Sequence, residues 1–244
     1  MEDTVTAAIR RYEQRRNCRF RFDALLSDMD GVLYDSMKYH AAAWAATMQG
    51  EGIECTSDEF YMHEGRTGKA TINIYYRRDK GRDADDEETA RIYAEKARRF
   101  VAFGKADLMP GAQKLMLHIK EAGVKTVLVT GSGQRSLLDK IEADYPGIFT
   151  PETMVTAFDV KKGKPDAEPY LMGLKKGGVA SNNAAVLENA PLGVEAGVAA
   201  GIFTIAVNTG PLPDAALVEA GADLVFPDMA SLYRQIDKII TYNR

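Results

Sequence analysis

The chain has 244 residues, 45% hydrophobic and 27% charged, an ordinary globular balance that suits one large domain or one domain carrying an insertion. The formal net charge is −4, which argues against a general binder of nucleic acid or of an anionic membrane surface. No apolar run reaches spanning length, and two cysteines without metal-type spacing give no disulfide framework and fit a reducing compartment.

Residues 1–22 are polar, with Val5, Ile9 and Tyr12 at helical spacing. A short amphipathic helix and a partly disordered tail are both compatible with this stretch. Its basic residues Arg10, Arg11, Arg15 and Arg16 have no apolar run after them, so no signal peptide is expected and the protein is read as cytoplasmic. Residues 25–36 then read Leu-Leu-Ser-Asp-Met-Asp-Gly-Val-Leu-Tyr-Asp-Ser. A short apolar strand ends in two carboxylates at i and i+2. Strand alternation places Asp28 and Asp30 on one side, where like charges are unfavourable unless a cation or proton lies between them. The pair suggests a metal site with one acid/base carboxylate. An ordinary Asp-Gly turn is the plainer reading.

From Met37 to about Lys105 the pattern is helical, with Trp44, Met48, Ile72, Ile74, Tyr75, Ile92, Tyr93 and Phe100 at helix-compatible spacings. The acidic run Asp83 to Glu88 marks a helix start, where acids favour the positive end. Tyr75, Tyr76, Phe100 and Phe103 read as core of this segment. Beyond Pro110, strands are predicted over 125–130, 154–156, 184–188, 202–207 and 223–226, with helices near 112–122, 134–143, 167–176, 192–200, 214–220 and 229–241. This alternation implies an α/β fold, a Rossmann-like doubly wound parallel sheet whose ligand site lies beyond the carboxyl ends of the strands. The helical insert after the first strand would stand over that edge as a lid.

Strand ends carry the polar residues Asp28 and Asp30, Thr130 and Ser132, and Glu188 and Asn189, with Lys164 in the loop Gly163-Lys-Pro165. An acidic pair, hydroxyls, a lysine and a further acid/amide pair make a phosphate site with a divalent cation, because a phosphoryl group in transfer spreads negative charge over its oxygens.

These motifs, in this order and spacing, resemble the haloacid dehalogenase superfamily, and within it the β-phosphoglucomutase-like group with a helical cap, over roughly residues 24–228. The resemblance implies a core of residues 23–36 and 106–244, a cap of 37–105 and an N-terminal extension of 1–22. It implies Mg²⁺-dependent phosphoryl transfer, with Asp28 as the nucleophile that becomes an aspartyl-phosphate and Asp30 as general acid and then base. Thr130 would hold the transferring group and Lys164 would neutralise it, with Ser132 as a further substrate contact. The metal set would be Asp28, Asp30 through its backbone carbonyl, and the residue at 189. The family usually has an aspartate there, whereas Asn189 offers an oxygen without charge. Glu188 could supply the missing charge, although in this group that position more often sits beside the lysine. Glu64, in Met62-His-Glu-Gly-Arg-Thr-Gly68, could instead descend with the cap and bind the metal. It could equally cap the helix that starts near Lys69, or be solvated.

Arg66 matches the phosphate-facing arginine of the cap loop and His40 a cap-proximal histidine. Lys96 aligns loosely with a cap lysine. The alternatives are a half-buried hinge position for His40 and a solvated charged face for Lys96. His63 and His118 lack metal-ligand partners at useful spacing. The segments Met62–Gly68 and Glu188–Gly197 resemble a Bacteroides-type inorganic pyrophosphatase of the group more closely than its mutases. Inorganic pyrophosphatase is therefore ranked first, a small-sugar phosphatase second and β-phosphoglucomutase third. The partner expected is a small phosphorylated substrate or pyrophosphate. A silent phosphate-binding module would need no nucleophile, and a carbon dehalogenase would have no use for Asp30. Oligomeric state is not legible, and a monomer is compatible with the sequence.

Overall fold

The computed structural model describes residues 3–104, 106–132 and 135–243, and the side chains of all but 135–138 among them. Among these residues, β1 (Ala24–Ser27), β2 (Lys125–Val129), β3 (Met154–Val155), β4 (Ala184–Glu188), β5 (Phe203–Val207) and β6 (Leu224–Phe226) form a parallel sheet in the order β3-β2-β1-β4-β5-β6. Strand β1 is wholly buried at the centre, as its unbroken apolar run requires when both faces are covered. Chain order runs outward from it in both directions, which makes its carboxyl end the switch point of the sheet.

Alternation along the strands feeds two cores. Leu25, Leu128, Ala185 and Leu187 face one apolar cluster, and Ala24, Leu26, Val127, Val129 and Val186 face the other. The first cluster takes α1 (Thr4–Arg16) through Val5, Ala8, Ile9 and Tyr12. The side chain of Asp3 caps this helix by accepting from the amides of Val5 and Thr6, so the helical reading holds over Thr4–Arg16 and the tail reading does not. The Glu13 carboxylate accepts from the Phe20 amide at 2.8 Å and the Tyr242 hydroxyl at 3.0 Å, which ties the start of the chain to its end.

Between β1 and β2 lie α2 (Met37–Gly50), a 3₁₀ turn (Asp58–His63), α3 (Gly68–Lys80) and α4 (Asp86–Ala102). They enclose a cluster of their own that includes Trp44, Met48, Phe60, Ile72, Tyr75, Tyr76 and Ile92. Asp85 and Glu88 close a reciprocal capping box at the start of α4, within the predicted acidic run. Lys105, the predicted end of this segment, lies outside the described residues. Phe103 departs from expectation: it is 47% exposed and stacks on Tyr39 at 5.4 Å, because α4 ends before it and carries it clear of the cluster.

The remaining helices are α5 (Ala112–Glu121), α6 (Arg135–Asp144), α7 (Glu168–Gly177), α8 (Pro191–Ala199), α9 (Asp214–Glu219), α10 (Met229–Tyr233) and α11 (Ile236–Ile240). The predicted start of α6, residue 134, lies outside the described residues. The single helix predicted over 229–241 is two. Helix α10 packs on α5 while α11 packs on α1, and one straight helix would not meet both partners.

Candidate active site

The strand does not extend as far as the alternation argument assumed. Strand β1 ends at Ser27, and the Met29 carbonyl then collects the amides of Leu33 at 2.8 Å and Tyr34 at 3.1 Å, turning the chain. Asp28 and Asp30 therefore do not share a strand face, and their carboxylates take different partners. The sheet register sets Asp28 beside the ends of β2 and β4, with its amide donating to the Leu187 carbonyl at 2.9 Å.

Asp28 meets Lys164 directly. The same ammonium donates to Glu188 Oε1 at 2.6 Å and to the Val129 carbonyl at 3.1 Å. Glu188 is itself pinned: Oε1 accepts from the Tyr170 hydroxyl at 2.8 Å, and Oε2 accepts from the amide of Asn189 at 3.0 Å and that of Ala190 at 3.3 Å. Helix α8 turns tightly against this carboxylate, and a Cβ at Gly193 would fall 1.8 Å from Oε1. Only glycine fits there. Glu188 thus sits beside the lysine and not at the position that would replace a metal-binding aspartate. Burial pushes the Asp28 carboxyl up to about 8, with Lys164 opposing the rise and Glu188 and Asp30 adding to it. Burial would lower the Lys164 ammonium, but the charges of Asp28 and Glu188 raise it overall.

Asp30 accepts from Ser36 Oγ at 2.6 Å and lies 3.2 Å from His40 Nε2, and His40 Nδ1 lies 2.6 Å from Lys96 Nζ. An ammonium only donates, so Nδ1 accepts and Nε2 carries the proton toward Asp30. Phe100 stacks on the imidazole at 4.0 Å. Burial works to raise Asp30, yet His40 and the Ser36 hydroxyl outweigh it and hold the carboxyl below its usual range. Burial and the Lys96 charge lower His40. Lys96 is 3% exposed, and burial brings its ammonium down to about 8. The solvated-face reading of Lys96 fails because Ile92, Lys96 and Phe100 share the buried stripe of α4.

Glu64 follows the 3₁₀ turn, and Thr67, not Glu64, caps α3. Gly65, at φ +86°, presses against Lys164, whose Cδ would lie 3.1 Å from a Cβ there. This close approach delivers Glu64 to the strand ends, where Asn189 Nδ2 donates to its Oε1 at 3.0 Å. Burial raises the Glu64 carboxyl well above its usual range, and the Asp28 charge adds to this. The buried Asp28 carboxyl and the half-buried Glu64 carboxyl thus influence each other's charge, and Asn189 Oδ1 beside Glu64 is a buried atom with no partner. These oxygens are the donor type a hard divalent cation takes, so the residues present fit one. Among the described residues, no three His, Cys, Asp or Glu side chains cluster as a metal cage.

The insert and the strand ends line a half-open cavity of about 80 Å³. Asp28, Asp30, Thr130 and Ser132 line it from the core, and His40, His63, Glu64, Arg66 and Lys96 from the insert. The Ser132 amide donates to Thr130 Oγ1 at 3.0 Å. Lys164, Glu188 and Asn189 stand behind this wall through the contacts above. The structure therefore gathers all the residues singled out from the sequence. His63, which lacks metal-ligand partners at useful spacing, also lines the cavity; the signal for it was its place directly before Glu64–Arg66. Burial and the Arg66 charge lower its imidazole.

A model of haloacid dehalogenase-like hydrolases matches residues 22–201. The chain belongs to that family. Hexitol phosphatase A of Escherichia coli is 32% identical over 77% of this chain and 84% of its own length. A phosphorylated carbohydrates phosphatase of Thermotoga maritima is 31% identical over 82% and 92%. Among solved structures, a protein from Bacteroides vulgatus provisionally assigned as a beta-phosphoglucomutase superposes with a TM-score of 0.95 at 48% identity, covering 99% of each chain. As a family member the chain is an enzyme of the phosphohydrolase and phosphotransferase type. The resemblance read from the sequence extends to the family and the β-phosphoglucomutase-like neighbourhood, and no inorganic pyrophosphatase is among these relatives.

Proposed function

We propose that the chain is a Mg²⁺-dependent phosphohydrolase that works through an aspartyl-phosphate on Asp28, with inorganic pyrophosphate as its best substrate. The observation that carries the substrate choice is Glu64, drawn down to Asn189 at 3.0 Å over a cavity of about 80 Å³. A carboxylate there occupies space a hexose ring needs, and Arg66 and Lys96 on the same wall suit a compact polyanion.

In this reading residues 37–105 act as the cap, 23–36 and 106–244 as the core, and 1–22 as an extension of the core. Asp28 attacks phosphorus as the bond to the leaving phosphate breaks, and Lys164, anchored by Glu188, stays against the attacking carboxylate. Thr130 and Ser132 hold the transferring oxygens. Asp30, which rests ionised between Ser36 and His40, gives the leaving oxygen a proton passed on from the Lys96 ammonium through His40, and then takes one from the water that frees Asp28. Mg²⁺, held by Asp28, the Asp30 backbone carbonyl, Asn189 and Glu64, supplies charge neutralisation when bound. The substrate is small and soluble, and the free cysteines Cys18 and Cys55 suit a cytoplasmic setting.

A second reading, a sugar phosphatase or β-phosphoglucomutase, is favoured by the carbohydrate names of the relatives and the assignment of the Bacteroides vulgatus neighbour. His40 and Lys96 serve either chemistry. Initial rates of phosphate release with Mg²⁺ separate the two. Pyrophosphate is expected to exceed β-glucose 1-phosphate and hexose 6-phosphates in kcat/KM by at least about tenfold. A faster hexose phosphate overturns the first reading, and conversion of β-glucose 1-phosphate into glucose 6-phosphate establishes the mutase.

A further inference from the structure

We propose that His63 pairs with Arg66 to form the subsite for the second phosphoryl group of a diphosphate, with the His63 Nδ1–H donating to one of its oxygens. This rests on the compact-diphosphate reading above and names a residue that reading does not use.

The first observation is an unfilled hydrogen bond in a fixed place. His63 ends the 3₁₀ turn, and its ring stands edge-on to Tyr75 at 5.7 Å and to Phe60 at 6.5 Å. The ring is therefore oriented by packing and not by a polar contact. Its Nδ1 is buried and has no partner. An apolar side chain would fill this place against Phe60 and Tyr75 without stranding a polar atom, and buried polar groups without partners are rare enough to need a reason.

The second observation is where that residue sits. His63 lines the same cavity as Asp28 and Thr130. Arg66 lines it too, and its Nε is likewise buried and unpartnered. The Arg66 amide donates to the His63 carbonyl at 3.2 Å, so both side chains spring from one turn of backbone. Five buried side-chain atoms lack partners among the described residues, and two of them are these. Arg Nε can only donate. A pair of donors suits an oxygen that only accepts, such as a phosphoryl oxygen, better than a sugar hydroxyl, which also needs an acceptor. The transferring phosphoryl belongs to Asp28, Lys164 and Thr130 on the core. His63 and Arg66 come from the insert and are not used by that group, so their donors are left for the other group of a short substrate.

The test is calorimetric binding to the Mg²⁺-loaded protein of imidodiphosphate, a diphosphate that resists cleavage, and of orthophosphate. Circular dichroism checks the fold of each variant. His63→Leu is expected to weaken imidodiphosphate by at least about tenfold, the worth of one hydrogen bond to a charged group, and orthophosphate by less than about twofold. His63→Asn, which restores an N–H near Nδ1, is expected to recover most of the loss. His63→Phe, which keeps a ring against Phe60 and Tyr75, replaces the leucine variant if that one does not fold. Equal effects on both ligands, no effect, or an asparagine variant as weak as leucine overturns the proposal. Wild-type protein that binds imidodiphosphate through His63 but cleaves no pyrophosphate sinks the pyrophosphatase reading and leaves the subsite standing. A working pyrophosphatase indifferent to His63 loses the subsite alone. Wild-type protein that does not bind imidodiphosphate overturns both.

Discussion

Replacing Lys96 with methionine should make the metal-free protein more stable at neutral pH. Lys96 is 3% exposed and packs over Trp44 at 5.4 Å and Phe100 at 5.1 Å, and burial brings its ammonium to about 8 from 10.5. At about 1.4 kcal/mol per pH unit, keeping the charge costs the folded state on the order of 3 kcal/mol. Methionine fills similar volume without that cost, but it strands His40 Nδ1, the acceptor at 2.6 Å, at a loss of about 1–2 kcal/mol. The net expectation is a gain of about 1–2 kcal/mol at pH 7. The sign with pH follows from proton counting. Between pH 8 and 10.5 the unfolded wild-type chain binds more protons than the folded one, so wild-type stability rises with pH across that window. The advantage of Lys96→Met should shrink over the same window and be gone by its upper end. Urea unfolding followed by circular dichroism at pH 7 and near pH 10 measures both values. A variant less stable than wild type at pH 7, or a difference that ignores pH, would refute the reasoning. Activity should move the other way, because a stability cost kept at the cavity wall is explained by the anion it meets there.

Glu64→Gln should weaken Mg²⁺ binding at least about tenfold by calorimetry, while raising the unfolding temperature of the metal-free protein by relieving the crowding with Asp28; an unchanged metal constant removes Glu64 from the metal shell. Gly193→Ala should displace Glu188, destabilise the fold by about 1–3 kcal/mol and lower turnover through the loosened Lys164; wild-type kinetics would show that Glu188 does not govern that lysine. Glu13→Ala should cost about 1–3 kcal/mol in urea unfolding, because the Phe20 amide and the Tyr242 hydroxyl lose their acceptor; no change would mean that apolar contact and the Asn243–Phe20 hydrogen bond hold the chain ends without Glu13.

The sheet was legible because buried parallel strands leave short apolar runs that stop at polar tips, and here those tips carry the chemistry. Strand alternation misled at Asp30, since it says nothing about where a strand stops; the Met29 carbonyl ends this one by gathering amides. Lys96 lies among Arg91, Arg98 and Arg99, and composition alone reads that stretch as a solvated face. The signal was phase: Ile92, Lys96 and Phe100 recur at i+4 and turn inward together. The break between α10 and α11 left no such mark, because Met229, Leu232, Ile236 and Ile239 also fit one helix, and only their separate packing partners divide them. His63 has no metal-ligand spacing to mark it, and its position follows instead from the ring packing of Phe60 and Tyr75.

The claim on which the rest depends is covalent transfer from pyrophosphate to Asp28. Acid-quenching the Mg²⁺-loaded protein within its first turnover of ³²P-labelled pyrophosphate tests it directly. Label is expected on the wild-type chain at Asp28, with neither label nor turnover in Asp28→Asn. Turnover that persists in Asp28→Asn, or rapid wild-type hydrolysis with no labelled protein at any quench time, would contradict it.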